Sequence, residues 1–274
     1  MYPAAADIIA PDTDQLAVYQ QFHRAVARAQ LAAWLPPGRH TIVDVSGPRG
    51  PGAELAAMAG HKVLRVTEAS TVSRLDARGG MAGRAAGPGP GQEEGKPAGR
   101  SATTRPGVIV PLIADPSRLP FLRDGCADEV IAEDGALSTH LAAEAMIAEI
   151  ARVLRPGGRV LACVDSLVLG MSVLAGQHRW ANLVDLPHEE VVLVPWPDGT
   201  ITRCYGPDQA RELFTGAGLA VRSIQPRTML SESVIMHVLR QAPRSLPRLV
   251  RAELAAGSDE SLGTQLVISA RKRR

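Results

Sequence analysis

The chain has 274 residues and a mass of 29.0 kDa, with 45% hydrophobic residues, enough for one large core or for one domain with an appended subdomain. A formal net charge of +2 and only 3% aromatic residues exclude a broad polyanion-binding face and a base-stacking platform, so no nucleic-acid partner is expected. Cys126, Cys163 and Cys204 stand far apart with no CxxC pair, which excludes a zinc framework and suits a reducing compartment.

The segment MYPAAADIIAPDTD has neither a basic start nor a long apolar run, so it does not read as a signal peptide. No apolar run approaches a membrane span, and a cytoplasmic protein with no membrane partner is the expectation. The basic run Arg271-Lys272-Arg273-Arg274 reads as a solvated tail. The Ala, Arg, Gly and Pro richness points to a bacterial source. The sequence leaves a homodimer open.

In chain order, Asp12 to Leu35 has Leu16, Tyr19, Phe22 and Val26 at helical spacing, with Asp12 or Thr13 as cap and Pro36-Pro37-Gly38 as stop. Residues 1–40 are therefore read as an N-terminal helical segment, ahead of an α/β domain over 41–274. HTIVDV is a short strand, and a turn with Gly47, Gly50 and Gly52 follows. GAELAAMAG is a helix closed by Gly60, HKVLRV a second strand, and ASTVSRLDARG a second helix. Between 78 and 107 there is no Val, Ile, Leu, Phe, Tyr or Trp. Nothing there can form a core, so the stretch reads as a disordered insertion.

GVIVPLIAD and CADEVIAED are the third and fourth strands. LAAEAMIAEIARVL is a helix with one apolar stripe, ended by Arg155-Pro156-Gly157-Gly158 before a fifth strand, RVLACVD. Beyond Ser166 a helix, a hairpin turning at Pro197-Asp198-Gly199, another helix and a sixth strand, AVRSIQPRTM, are expected. Two helices and a last strand, LGTQLVISARK, complete the chain. Strands alternating with helices indicate a mainly parallel sheet.

The first turn matches no dinucleotide fingerprint: GxGxxG is absent, and no tyrosine is followed by lysine four positions on. A nicotinamide-dependent reductase is therefore the weakest of the readings weighed. VDVSGPRGPGAELAAMAGHKVLRV instead resembles the first motif of class I methyltransferases that use S-adenosylmethionine, an acidic residue followed by G-x-G-x-G. Asp44 takes the acidic position, and Ser46, Pro48 and Gly50 the three glycine positions, with Gly47 beside them. Later segments are closer to the family: ADPSRLPF, the Asp128-containing fourth strand, and above all RVLRPGG before the fifth strand.

The resemblance implies a Rossmann-like fold, a mostly parallel seven-stranded sheet with an antiparallel last strand and helices on both faces. It also implies S-adenosylmethionine as cofactor and S-adenosylhomocysteine as product. The family's ribose-binding carboxylate falls by count at Thr67, with Glu68 next to it; a solvated helix-start carboxylate is the alternative for Glu68. Asp115 matches the residue that contacts the adenine amine, against a turn-capping role before Pro116. Glu133 and Asp134 follow the fourth strand, where the family contacts the adenosine or methionine part.

His140 sits beside the expected methyl-transfer site and is the candidate proton acceptor, against a helix-start histidine with no such role. No metal ligand set is expected. The segment 166–205 is the candidate cover for a small-molecule methyl acceptor, with Trp180, Trp196 and Tyr205 as wall or as ordinary packing and His178 and His188 nearby. O-methylation in secondary metabolism is the first expectation for the reaction. The alternative is a catalytically inactive pseudo-methyltransferase serving as a regulatory or assembly module, because Ser46 and Pro48 interrupt the glycine motif and Pro48 removes a backbone donor.

Overall fold

A computed structural model describes residues 13–47, 50–69, 107–186, 189, 191–196, 199–256, 259–260 and 262–274. The expected insertion, apart from Gly107, lies outside the described residues. So do the second expected helix beyond Ala69, and Pro48, Arg49, His188, Pro197 and Asp198.

Helix α1 (Thr13–Trp34) is the N-terminal helix. Its predicted stripe is real at Phe22 and Val26, both wholly buried, but their partners lie far along the chain: Ile235, Leu239 and Val250. These belong to α8 (Glu232–Gln241) and α9 (Leu246–Ala255), two helices placed in the chain between the last two strands.

Five strands form a parallel block: β1 (Thr41–Asp44), β2 (Lys62–Thr67), β3 (Val108–Ile113), β4 (Ala127–Ala132) and β5 (Leu154–Ser166), in the order β3-β2-β1-β4-β5. The last strand, β9 (Gln265–Lys272), pairs antiparallel with β5, and β8 (Leu219–Arg227) pairs antiparallel with β9. This is the expected seven-stranded sheet with one reversed strand. After α5 (Leu167–Gly176) and α6 (Trp180–Asp185), two further strands, β6 (Val192–Pro195) and β7 (Ile201–Tyr205), make the predicted hairpin. Beyond Ala162, where β4 ends, β7 takes the vacated edge of β5, pairing Cys204 with Asp165 and Tyr205 with Ser166.

Both faces of the sheet are covered, which explains strands that are apolar at consecutive positions. Val43, Val160, Ala162 and Ile268 face α4 (Ala143–Val153) and α7 (Pro207–Gly216) through Met146, Ile150 and Phe214. Their sequence neighbours Ile42, Leu161 and Val267 face the other way, toward α2 (Gly52–Met58) and Leu31 of α1. Successive residues of one strand thus feed two separate cores.

The RVLRPGG block works as a joint. Gly157 takes φ +79°, a conformation that favours glycine, and lets the chain turn from α4 into β5. Arg152 pins the preceding loop: its guanidinium reaches Glu149 at 2.8 and 2.9 Å, Asp124 at 2.6 Å, and the carbonyls of Leu119 and Leu122 at 2.8 Å each. Glu149 in turn accepts the Leu119 N–H at 2.8 Å. The LPF and RVLRPGG motifs, separate in sequence, are therefore one hydrogen-bonded unit. No helix among the described residues is long and apolar enough to cross a membrane.

Candidate active site

The turn after β1 is closed against the end of β4. Val45 N–H donates to Ile131 O at 2.8 Å, Gly47 N–H to Glu133 O at 3.1 Å, and Glu133 N–H to Ser46 Oγ at 2.9 Å. Asp44 is buried under this turn. Its Oδ1 accepts the Ser46 N–H at 2.9 Å, its Oδ2 is buried without a partner among the described residues, and burial pushes its carboxyl above the usual value.

Two contacts show what the glycines accommodate. A Cβ on Gly50 would lie 2.7 Å from Ser46 Cβ, and a Cβ on Gly47 would lie 2.7 Å from Asp134 Oδ2 and 2.9 Å from the Asp134 carbonyl. The chain's own Ser46 and Asp134 thus occupy the space beside both glycines. Asp134 holds φ +58° to do so, and Gly135 follows at +66°. Pro48 and Arg49, the other residues in question at this turn, fall outside the described residues.

Two cavities flank the closed turn. The larger, about 400 Å³, is lined by Ser46, Gly47, Thr67, Glu68, Pro116 and His140, with Val66 and Leu141 among its apolar walls. Thr67 ends β2 and Glu68 stands just beyond it, so both residues offered by the count reach this space. The smaller, about 200 Å³, is lined by Gln20, His23 and Arg24 of α1 together with Gly50, Glu133, Asp134 and Arg227.

His140 follows the short helix α3 (Ala136–Thr139) and closes one end of the larger cavity. Its Nε2 lies 3.3 Å from Glu68 Oε1 and 3.3 Å from Asp115 Oδ1. Asp115 also accepts from Ser117 N at 2.8 Å and Oγ at 2.7 Å; these bonds first, and His140 after them, hold its carboxyl below the usual range. His140, the expected proton acceptor, thus joins the two carboxylates that the resemblance assigns to ribose and adenine.

Glu133 is held by an arginine. Both its oxygens are held by Arg227, at 2.7 and 3.0 Å, so its carboxylate is already paired. Asp115, Pro116, Glu68, Thr67, Ser46 and Gly47 gather at the larger cavity or its rim, whereas Gly50, Glu133 and Asp134 line the smaller. Asp44 lies beneath the turn that separates them.

The described residues of the segment 166–205 line neither cavity, and Gln20, His23 and Arg24 of α1 line the smaller one. Trp196 Nε1–H donates to Thr202 Oγ1 at 2.8 Å inside the hairpin, Tyr205 is buried with its hydroxyl toward Leu137 O at 3.5 Å, and Trp180 is exposed and stacks edge-on with His178. Cys163 and Cys204 are buried and Cys126 half-buried, all three free. Sequence reasoning missed His23, Arg24 and Arg227. A signal existed for His23: it sits four residues after Tyr19 and three before Val26, a polar residue on an apolar stripe.

The arrangement fits an adenosine-like group at the larger cavity. Glu68 offers a carboxylate to a ribose diol, and Val66, Leu141 and Ala142 offer apolar contact to a base. The amino-acid end would have to pass the Ser46–Asp134 closure to reach the smaller cavity.

No protein family and no curated protein matches the chain by sequence. Solved structures do match. The fold is similar to a methyltransferase dependent on S-adenosylmethionine from Methanosarcina mazei, at 16% identity, covering 89% of this chain and 97% of that one with a TM-score of 0.53. A second, from Mesorhizobium loti, is 15% identical over 90% and 98% of the two chains with a TM-score of 0.51. A third is the 1,6-didemethyltoxoflavin-N1-methyltransferase of Burkholderia thailandensis, solved with 1,6-didemethyltoxoflavin and S-adenosylhomocysteine, at 17% identity, 99% and 94% coverage and a TM-score of 0.50. The fold of this chain is therefore that of the class I S-adenosylmethionine-dependent methyltransferases.

Proposed function

We propose that the protein is a methyltransferase that uses S-adenosylmethionine and acts on a small molecule. The observation that carries this reading is the cavity beside the β1 turn, where Glu68, Asp115 and the apolar walls of a nucleoside-sized site come together on this fold. Glu68 binds the ribose hydroxyls, Val66 and Leu141 flank the base, and Ser46 and Gly47 border the path to the smaller cavity, which receives the reacting end and the acceptor. The cofactor supplies an already activated methyl group, so positioning of the acceptor suffices for much of the rate. An oxygen acceptor is the first to test.

A second reading, a non-catalytic relative that keeps the fold, is supported by the packing of Ser46 against Gly50 and of Asp134 against Gly47. Calorimetric titration with S-adenosylmethionine and S-adenosylhomocysteine separates the two. Micromolar binding that weakens at least tenfold in Glu68→Ala supports the enzyme; absence of binding at millimolar ligand favours the second reading.

A further inference from the structure

His23, which lines the smaller cavity, ends a hydrogen-bonded chain that the function above does not use. Gln265, the first residue of β9, is fixed from both ends. Its Nε2 donates to Asp165 Oδ1 at 3.2 Å, and its Oε1 lies 2.8 Å from His23 Nε2 and 3.3 Å from Cys163 Sγ. Asp165 is 7% exposed, and its own N–H donates to Ser138 Oγ at 2.8 Å.

This chain dictates a tautomer. An ionised Asp165 accepts only, so it must face the amide nitrogen of Gln265, and the amide oxygen then faces His23. A carbonyl oxygen can only accept, so the proton of neutral His23 sits on Nε2. The lone pair is left on Nδ1, which makes no hydrogen bond among the described residues. His23 lines the smaller cavity together with Gly50 and Asp134, beside the turn that separates it from the nucleoside-sized space.

We infer that His23, and not His140, is the general base of the reaction, taking the acceptor's proton on Nδ1. The inference rests on the methyltransferase reading. As the acceptor's hydroxyl or amine heteroatom bonds to the methyl carbon, the carbon–sulfur bond breaks and its electron pair stays on sulfur. The heteroatom's proton passes to Nδ1, giving the methylated product, S-adenosylhomocysteine and an imidazolium, which then returns the proton to water.

The surroundings suit that cycle. Burial first, and Arg227 second, hold the His23 imidazole below its usual value, so it is neutral at pH 7; Gln265, Glu133 and Asp134 act in the opposite direction and steady the cation once formed. Arg227 comes from β8, Glu133 and Asp134 from the turn after β4, Arg24 from α1 itself, and Asp165 acts through Gln265.

The test begins with histidine-selective nitrogen NMR of the full chain. His23 should appear as the neutral Nε2–H tautomer at pH 7, and Gln265→Leu should mix the tautomers. Carbethoxylation of His23 by diethylpyrocarbonate, followed by mass spectrometry, should slow at least fivefold with saturating S-adenosylhomocysteine. With labelled S-adenosylmethionine and a panel of phenols and primary amines, His23→Gln should lower turnover about 10²-fold and remove the pH limb of the wild type, with S-adenosylhomocysteine affinity within threefold. An Nδ1–H or cationic ring at pH 7, or labelling that the bound nucleoside does not slow, overturns the inference even if no panel compound is methylated. Loss of nucleoside binding in the wild type would instead overturn the methyltransferase reading, and this inference with it.

Discussion

Glu133 and Arg227 meet across the carboxyl edge of the sheet, with Oε2–Nη1 at 2.7 Å and each side chain 1% exposed. Gln30 of α1 accepts from Arg227 Nε at 2.6 Å, and the Cys163 sulfur lies 3.4 Å from its Nη1. One guanidinium thus joins the N-terminal helix, β5, β8 and the turn after β4, at the floor of the smaller cavity.

Removing either member should leave an uncompensated buried charge. Arg227→Met and Glu133→Gln are each expected to lower unfolding free energy by about 3–5 kcal/mol in urea denaturation, and the double variant to recover most of that loss. Single variants within about 1 kcal/mol of wild type would mean that water reaches the pair.

Gly47 has no room for a side chain. Gly47→Ala should cost about 1–3 kcal/mol, because the added Cβ meets the Asp134 carbonyl as well as its carboxylate, and a backbone atom cannot swing away. The midpoint of thermal unfolding reads this directly. Asp134→Gly added to Gly47→Ala should restore part of it, since it removes the carboxylate and the left-handed strain at position 134 together.

Asp165 makes a pH prediction of definite sign. Burial pushes its carboxyl up to about 6 from 3.8, so the folded protein binds that proton more tightly than the unfolded chain does. Its contribution is fully present below pH 4 and falls by about 3 kcal/mol as the pH rises through 6. Asp165→Asn should flatten that part of the stability profile, and the difference between the two curves between pH 4 and 7 isolates the group. Parallel curves would place Asp165 in contact with water.

Arg152 is expected to resist its conservative replacement. Arg152→Lys keeps the charge but cannot reach Glu149, Asp124 and two carbonyls from one planar fork. A loss of about 1–2 kcal/mol, with faster hydrogen exchange over 119–125 than over α4, would locate the damage in the loop it pins.

Much of this fold was legible in the residues. Apolar runs such as VIA and VLACV, alternating with the stripe of Met146, Ile147 and Ile150, specify buried parallel strands and a covering helix from local pattern alone. RVLRPGG marks its own helix stop because Gly157 must take a positive φ. The hairpin was also legible, but its place was not: the edge it occupies exists only because β4 ends before β5 does.

The site was less legible, and for a physical reason. Thr67, Glu68 and Pro116 could be placed because they follow strand ends, where chain direction fixes position. The partners of His140 were not legible, because Glu68 and Asp115 follow two other strands, and sequence distance carries no angle.

By itself, then, the sequence determined the layered α/β fold and the groove across the strand ends, since period and turn chemistry are local properties. Only the tertiary structure decided what faces that groove. It brought α1 to the wall of the smaller cavity, paired Glu133 with Arg227, and aligned Asp165, Gln265 and His23. Those contacts join residues that stand from 94 to 242 positions apart in the chain, where no local pattern reaches.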